Sequence, residues 1–81
     1  MLDNEKMLTE LYTAPACSLC HKALTMIRSL DTPPQVTLVN VRDDTRLYHE
    51  YGARIPVLKR MDTQEELAWP FDSNALKRFL E

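Results

Sequence analysis

The spacing of hydrophobic and polar positions changes along the chain, and each change predicts a new element. From Met7 to Thr13 leucine and tyrosine mix with polar residues, and Ala14-Pro15 ends the run, which predicts a first strand. After Cys17 apolar residues recur at spacings of three and four, which predicts an amphipathic helix with these positions on one face: Leu19, Ala23, Leu24, Ile27 and Leu30. We expect this helix to end near Asp31-Thr32-Pro33-Pro34.

The remainder of the chain predicts two more helices and three more strands. A β-branched segment from about Gln35 to Val41 predicts the second strand, and Arg42-Asp43-Asp44 can cap a helix over residues 45–51 that ends at Gly52. Two short apolar runs separated by a turn at residues 60–63 predict a hairpin, and an amphipathic tail capped by Asp72 or Ser73 predicts the last helix. The two runs are Ile55–Leu58 and Glu66–Trp69, and the helical face is Leu76, Phe79 and Leu80.

The order strand, helix, strand, helix, strand, strand, helix determines how these elements can form a sheet. The strand–helix–strand unit predicts a parallel pair, and the hairpin predicts an antiparallel one. We therefore expect an α/β fold with a mixed four-stranded sheet and helices on both faces. No repeat or linker divides the sequence, so residues 1–81 are expected to form a single domain.

The composition excludes several classes of function. An apolar content of 44% in 81 residues is enough for one core without an obligatory metal or cross-link. A net charge of −2, with no basic stripe, makes nucleic acid an unexpected partner. The segment Met1 to Lys6 lacks the features of a secretory signal, and no stretch approaches membrane-spanning length. We therefore expect a cytoplasmic protein without membrane contact.

The two cysteines of the chain lie close together, as Cys17-Ser18-Leu19-Cys20. A separation of about one helical turn predicts that both sulfurs lie at the start of the first helix. There, unpaired backbone N–H groups and the helix dipole favour the thiolate of Cys17, to which His21 and Lys22 can add positive charge. Cys20 is expected to be more buried and less ionised. These differences predict Cys17 as a nucleophile and Cys20 as the resolving thiol of a redox couple.

Three other interpretations of the cysteine pair stay open at this point. A closed zinc site needs four ligands, for which His21 and His49 are the additional candidates. The run Cys17 to His21 also matches the CxxCH pattern of covalent haem attachment, which usually accompanies export. Both cysteines can instead be inert core residues, because free cysteine packs as a small hydrophobe. The position at a strand-to-helix junction favours redox chemistry, and no bound metal is expected.

The segment from Leu11 to Cys20, with Tyr51-Gly52 and Ile55-Pro56-Val57-Leu58 downstream, resembles the glutaredoxin-like branch of the thioredoxin superfamily. The match spans nearly the whole chain, and it is best with short glutaredoxin-like proteins. The resemblance implies the minimal glutaredoxin-like form of the thioredoxin fold. It also implies that Pro56 is a cis-proline opposite the cysteines, and that Ile55 offers its backbone to a peptide or glutathione. Asp72 would then stand where the last helix meets the γ-glutamyl group of glutathione.

The sequence departs from dithiol glutaredoxins at three places. Ser18-Leu19 replaces their usual Pro-Tyr, Ala14 stands where a lysine often contacts glutathione, and Trp69-Pro70 replaces their paired glycines. The function predicted is that of an enzyme, a monomeric thiol–disulfide oxidoreductase acting on protein or glutathione disulfides. It would hold no bound cofactor and use glutathione, if at all, as a co-substrate. The alternative is a non-enzymatic thioredoxin-fold binding module with a regulatory disulfide.

Overall fold

The computed structural model describes residues 7–81, in which the strands and helices follow the predicted order. The segment 1–6, which the sequence predicts not to be a secretory signal, lies outside the described residues. Within residues 7–81 no helix is both long and apolar enough to cross a membrane. The strands are β1 (Leu8–Thr13), β2 (Gln35–Asn40), β3 (Val57–Arg60) and β4 (Glu66–Ala68), and the helices are α1 (Ser18–Arg28), α2 (Thr45–Tyr51) and α3 (Ser73–Phe79).

The strands form one sheet in the order β2-β1-β3-β4. β1 and β2 are parallel because α1 returns the chain between them, whereas β3 is antiparallel to both β1 and β4. In this register Leu11 of β1 lies between Leu38 of β2 and Leu58 of β3. The predicted α/β class, with a mixed four-stranded sheet and three helices, is confirmed.

Neighbouring residues of the central strands point to opposite faces of the sheet and divide the core in two. Leu11 and Leu58 pack with α1 and α3, whereas Tyr12 and Val57 pack with α2. Helices therefore cover both faces, as predicted. The buried residues of the first cluster are Leu11, Ala23, Ile27, Leu58, Phe71 and Leu76, and those of the second are Tyr12, Val41, Tyr51 and Val57.

The first helix is shorter than the hydrophobic pattern predicts. α1 ends at Arg28 and is capped by Ser29, whereas the pattern extends it to the region of Asp31. The N–H and the hydroxyl of Ser29 both donate to the carbonyls of Thr25 and Met26, so Ser29 closes the last helical turn. The few residues that follow therefore connect α1 to β2 outside the helix.

The second helix has the predicted bounds, and Gly52 is its C-cap, as predicted. The Asp44 carboxylate caps α2 by accepting the N–H groups of Arg46 and Leu47. Gly52 follows with φ −54°, in the right-handed region rather than the left-handed one typical of a glycine cap. A Cβ at Gly52 would lie 2.5 Å from the Tyr48 carbonyl oxygen. Glycine is needed there because the helix backbone approaches too closely for a side chain.

The hairpin strand β3 is shifted relative to the prediction. It begins at Val57 instead of Ile55 and includes Arg60, which the sequence assigned to the turn. The N–H of Arg60 donates to the Glu65 carbonyl at 3.0 Å and extends the pairing with the return segment. The turn itself contains Gln64 in the left-handed conformation, with φ 66°.

The side chain of Arg60 joins the hairpin to the end of α3. Its guanidinium donates to both carboxylate oxygens of Asp62, at 2.9 and 2.7 Å. It also donates to the carbonyl of Phe79 at 2.5 Å and to that of Glu81 at 2.9 Å. A cation at the carboxyl end of a helix is favoured by the helix dipole. Arg60 therefore holds α3 against the sheet at the end where β3 finishes.

The opposite end of the sheet brings three loops together. Tyr12 near the end of β1 faces Val57 at the start of β3, and Val57 faces Ala68 at the end of β4. The adjoining loops, residues 14–17, 52–56 and 69–72, therefore meet at one end of the sheet. We call this the Cys17 end. α1 and α3 also begin there, each directly after one of these loops.

Candidate functional site

The cysteine pair occupies the junction between β1 and α1, as the sequence predicts. Cys17 and Cys20 form a disulfide, with their Cα atoms 5.2 Å apart. Cys17 is the N-cap of α1, and its Sγ accepts the N–H of Cys20 at 3.2 Å. Its sulfur therefore takes one of the backbone donors that a helix leaves unpaired at its start. An N–H group in this position stabilises negative charge on Cys17 once the disulfide is reduced.

The two cysteines differ in exposure. Cys20 is buried, with 5% of its surface exposed, whereas Cys17 is half-buried. Ala16, Ser18 and Leu19 around them are exposed, and Leu19 keeps 42% of its surface open to solvent. A partner molecule therefore reaches Cys17 first, which is the asymmetry expected from the sequence.

Ala16, directly before the first cysteine, has an unusual backbone conformation. Its φ of 58° lies in the left-handed region, where a residue with a Cβ is strained by roughly 1–2 kcal/mol. This conformation turns the chain from β1 into the N-cap of α1. The sequence offers no signal for it, because alanine, unlike glycine, does not indicate a left-handed residue.

Ile55 and Pro56 lie at the Cys17 end, where the sequence predicts substrate contacts. The register places Pro56 one residue beyond the pair formed by Tyr12 and Val57, beside the end of β1. Both the Ile55–Pro56 and the Trp69–Pro70 peptide bonds are cis. Pro56 is buried, and its carbonyl accepts the N–H of Trp69 at 3.0 Å. Within residues 7–81 the N–H and C=O of the half-buried Ile55 make no hydrogen bond.

Asp72, the third predicted contact residue, caps α3. Its carboxylate accepts the N–H of Ala75 at 2.8 Å, and its side chain is exposed at the Cys17 end. Beside it, the half-buried ring of Trp69 packs edge-on against Phe71, with centroids 5.0 Å apart. The structure thus gives Asp72 a capping role, and contact with glutathione stays a prediction.

Two stacked tyrosines lie behind the site on the α2 face of the sheet. The rings of Tyr12 and Tyr51 are 4.3 Å apart and nearly parallel. The Tyr12 hydroxyl donates to Glu10 at 2.8 Å, and the Tyr51 hydroxyl donates to Glu66 at 2.6 Å. Burial, and then the hydrogen bond to Glu66, raises the pKa of Tyr51 to about 12. Burial, and then the bond to Glu10, raises the pKa of Tyr12 as well.

Glu66 also pairs with Arg54, the residue before Ile55. The distance from the Arg54 guanidinium to the Glu66 carboxylate is 3.7 Å. The same guanidinium lies over the Tyr51 ring, 5.1 Å from its centroid, and donates to the Glu50 carbonyl. The sequence gives no signal that Glu50, Tyr51, Arg54 and Glu66 lie together. The first three come from α2 and the following loop, whereas Glu66 comes from β4.

The other candidate ligands are dispersed. Within residues 7–81 no group of three or more His, Cys, Asp or Glu side chains lies close enough together to hold a metal ion. His21 and Lys22 are exposed on α1 after the cysteines, and His49 is exposed on α2, where it contacts the Tyr48 ring edge-on.

Comparison with solved structures places this arrangement among known folds. The crystal structure of the protein XcR50 from X. campestris is 35% identical, covers 89% of this chain and 93% of that one, and has a TM-score of 0.73. The solution structure of XcR50 gives 34% identity, 91% and 92% coverage, and a TM-score of 0.79. Protein Ne2328 from Nitrosomonas europaea shares the fold at 24% identity, with 95% and 94% coverage and a TM-score of 0.81.

Comparison with sequence families identifies the chain more closely. No curated protein matches it. The family model described as "Glutaredoxin-like domain (DUF836)" matches residues 8–81, which include both cysteines and every strand and helix of the part of the chain that the structure describes. The resemblance to glutaredoxin-like proteins and the thioredoxin-like fold are therefore both confirmed. The chain belongs to the glutaredoxin-like domain family (DUF836).

Proposed function

We propose that this protein is a thiol–disulfide oxidoreductase that acts through Cys17 and Cys20. The observation that carries the proposal is the asymmetric pair at the start of α1. The sulfur of the half-buried Cys17 accepts a helix N–H, and the sulfur of the buried Cys20 lies within disulfide-bonding reach of it. This arrangement favours the thiolate of Cys17 and keeps the resolving thiol away from other molecules.

The reaction begins from the reduced protein. The Cys17 thiolate attacks one sulfur of a substrate disulfide, forms a mixed disulfide with it, and releases the other substrate sulfur as a thiolate that takes a proton. Cys20 then loses its proton and attacks the Cys17 sulfur. The mixed disulfide breaks, the Cys17–Cys20 disulfide forms, and the second substrate thiol leaves. Two electrons pass from the dithiol to the substrate. Two glutathione molecules, or one protein dithiol, then return two electrons to the pair and leave as a disulfide.

The substrate we propose is a protein disulfide or a glutathione disulfide, bound at the Cys17 end by a monomer. The free backbone of Ile55 would pair with an extended chain next to the mixed disulfide, with Pro56 beneath it. The Asp72 carboxylate would meet the ammonium group of a γ-glutamyl residue. Glutathione takes part as a co-substrate and leaves after each turnover. A reducing compartment such as the cytoplasm would supply the thiols.

Turnover of a small disulfide with glutathione, and of a protein disulfide with a dithiol reductant, tests the proposal. Cys17→Ser is expected to lower both rates to the uncatalysed level, because it removes the nucleophile. Cys20→Ser is expected to abolish protein-disulfide reduction and to retain turnover only where glutathione can resolve the mixed disulfide. Thr32→Ser, an exposed change in the loop after α1 and outside the Cys17 end, serves as the control and should keep the wild-type rates.

A Cys17→Ser protein with full activity would refute the proposal. Wild-type protein that oxidises once and never turns over would also refute it, and would favour the alternative of a binding module with a regulatory disulfide. Partner affinity would then differ between the oxidised and reduced forms without catalysis.

A further inference from the structure

Glu66 connects two parts of the chain next to the site. One carboxylate oxygen accepts the Tyr51 hydroxyl at 2.6 Å, and the other lies 3.7 Å from the Arg54 guanidinium. Tyr51 is the last residue of α2, Arg54 is in the loop that follows, and Glu66 begins β4. We call Glu66, Arg54 and Tyr51 the Glu66 cluster. It joins the end of α2 and the next loop to the edge strand of the sheet.

Arg54 is held by several contacts. Its N–H donates to the Tyr51 carbonyl at 2.8 Å, and its guanidinium donates to the Glu50 carbonyl at 3.4 and 3.3 Å. The guanidinium also lies over the Tyr51 ring, which adds a cation–π contact. The residue immediately before Ile55 is thus fixed to α2 by its backbone and its side chain, and to β4 through Glu66.

These contacts restrict the short segment that carries Ile55. On the N-terminal side, residues 52–54 follow Tyr51, whose ring stacks on Tyr12. On the C-terminal side, the Pro56 carbonyl accepts the N–H of Trp69. Ile55 lies between these two fixed points with its own backbone groups free. A backbone held in its binding geometry before a partner arrives loses less entropy on binding, which strengthens the complex.

We propose that Glu66 and Arg54 are positioning residues, which hold the Ile55 backbone in the geometry that pairs with a disulfide substrate. The inference rests on the proposed function, and neither residue touches the sulfurs that react. The ion pair is partly exposed, with 46% of the Arg54 side chain and 29% of the Glu66 side chain open to solvent. Pairs of this kind add little to stability. Their removal should therefore change substrate binding more than folding.

The experiment compares Arg54→Met and Glu66→Gln, singly and together, with the wild type. Arg46→Met is the matched control, because Arg46 is an exposed arginine of α2 that lies outside the Glu66 cluster. In each protein we would measure KM and kcat for disulfide reduction, the midpoint potential of the cysteine couple, and the NMR order parameter of the Ile55 amide. Arg54→Lys tests rescue, because it keeps the charge that faces Glu66.

Arg54→Met and Glu66→Gln are each expected to raise KM by about 3- to 10-fold with kcat changed less than about twofold. The potential should stay constant, and the Ile55 order parameter should fall. The KM of the double variant should be no higher than that of the more affected single variant, because both changes release the same segment. Arg54→Lys should raise KM less than Arg54→Met does, and Arg46→Met should have the KM of the wild type.

Unchanged KM and order parameter in the variants would overturn the inference. So would a parallel loss of kcat, potential and thermal stability, which would indicate a structural role alone. If the wild-type protein shows no turnover, the proposed function fails. The Ile55 order parameter then decides the inference separately, because a constant value in Arg54→Met would show that the Glu66 cluster does not fix this segment.

Discussion

Two arginines lie near the opposite ends of β3, and their surroundings differ sharply. Arg60 finishes the strand, has only 11% of its side chain exposed, and donates to one carboxylate and two main-chain carbonyls. Arg54 lies three residues before the strand, has 46% of its side chain exposed, and meets Glu66 at 3.7 Å. The first joins α3 to the sheet at the end away from Cys17, and the second lies beside Ile55, the proposed substrate contact.

From this difference we infer that the stability of the fold and the geometry of the site depend on opposite ends of β3. A nearly buried guanidinium with all its strong bonds inside the protein cannot be lost without leaving polar groups unpaired. A half-exposed guanidinium can exchange its contacts for water at small cost. We therefore expect the Arg60 end to determine how stable the fold is, and the Arg54 end to determine how the Cys17 end meets a partner.

The largest effect is expected from Arg60→Met. Its loss leaves the carbonyls of Phe79 and Glu81 without their donor and should lower the melting temperature by about 10 °C. At a temperature where the variant is still folded, KM and the potential of the cysteine couple should match the wild type. Arg42→Met, at an exposed position, is the control and should melt within a few degrees of the wild type.

Acid provides a second test of the same contact. The hydrogen bond from Arg60 holds the pKa of Asp62 below its ordinary value, so this carboxylate stabilises the fold above its unfolded pKa. That contribution disappears as the pH falls through the lower folded pKa. The difference in melting temperature between wild type and Arg60→Met should therefore narrow in acid. If the two melting temperatures differ by the same amount at every acid pH at which both proteins fold, the role given to Asp62 is contradicted.

An intermediate effect is expected from Gly52→Ala, which changes the Arg54 end. A Cβ 2.5 Å from the Tyr48 carbonyl must displace the end of α2, and overpacking of this kind should lower the melting temperature by about 5–10 °C. Unlike Arg60→Met, this change should also raise KM, because the loop to Ile55 moves with the helix. Ala53→Ser, an exposed substitution next to it, is the control. A normal KM in a destabilised Gly52→Ala protein would break the distinction between the two ends.

The smallest effect is expected from Tyr51→Phe, which removes one hydroxyl and keeps the ring stack. Near neutral pH the melting temperature should fall by about 5 °C or less. Folding raises the pKa of Tyr51 from 10.0 to about 12, so its contribution is complete below pH 10 and is lost as the pH rises toward 12. Over that window the wild type should lose stability more steeply than the variant. Equal slopes in alkaline unfolding curves would show that the Tyr51 hydroxyl is not held by Glu66.

Most of the fold was predictable because its signals are local. The alternation in β1, the helical spacing after Cys17, and the caps at Asp44 and Asp72 are all encoded within a few residues of where they act. The cysteine pair was predictable for the same reason, since three residues of spacing at a strand-to-helix junction put both sulfurs at one helix end. The predicted end of α1 was wrong, because the helix ends before Ser29, whose N–H and hydroxyl both donate to carbonyls of the last turn.

The sequence by itself determined the order of elements, the mixed sheet and the position of Cys17 and Cys20 at the start of α1. Only the tertiary structure decided that Arg60 binds the end of α3 and that Glu66 holds Arg54 and Tyr51. These contacts join residues 12 or more positions apart, and their charges look like ordinary solvated surface in the sequence. They arise because the sheet register and the packing of α2 and α3 bring distant polar groups together. Around Arg60 little water is left, so its guanidinium needs partners inside the protein, whereas Arg54 stays half-exposed.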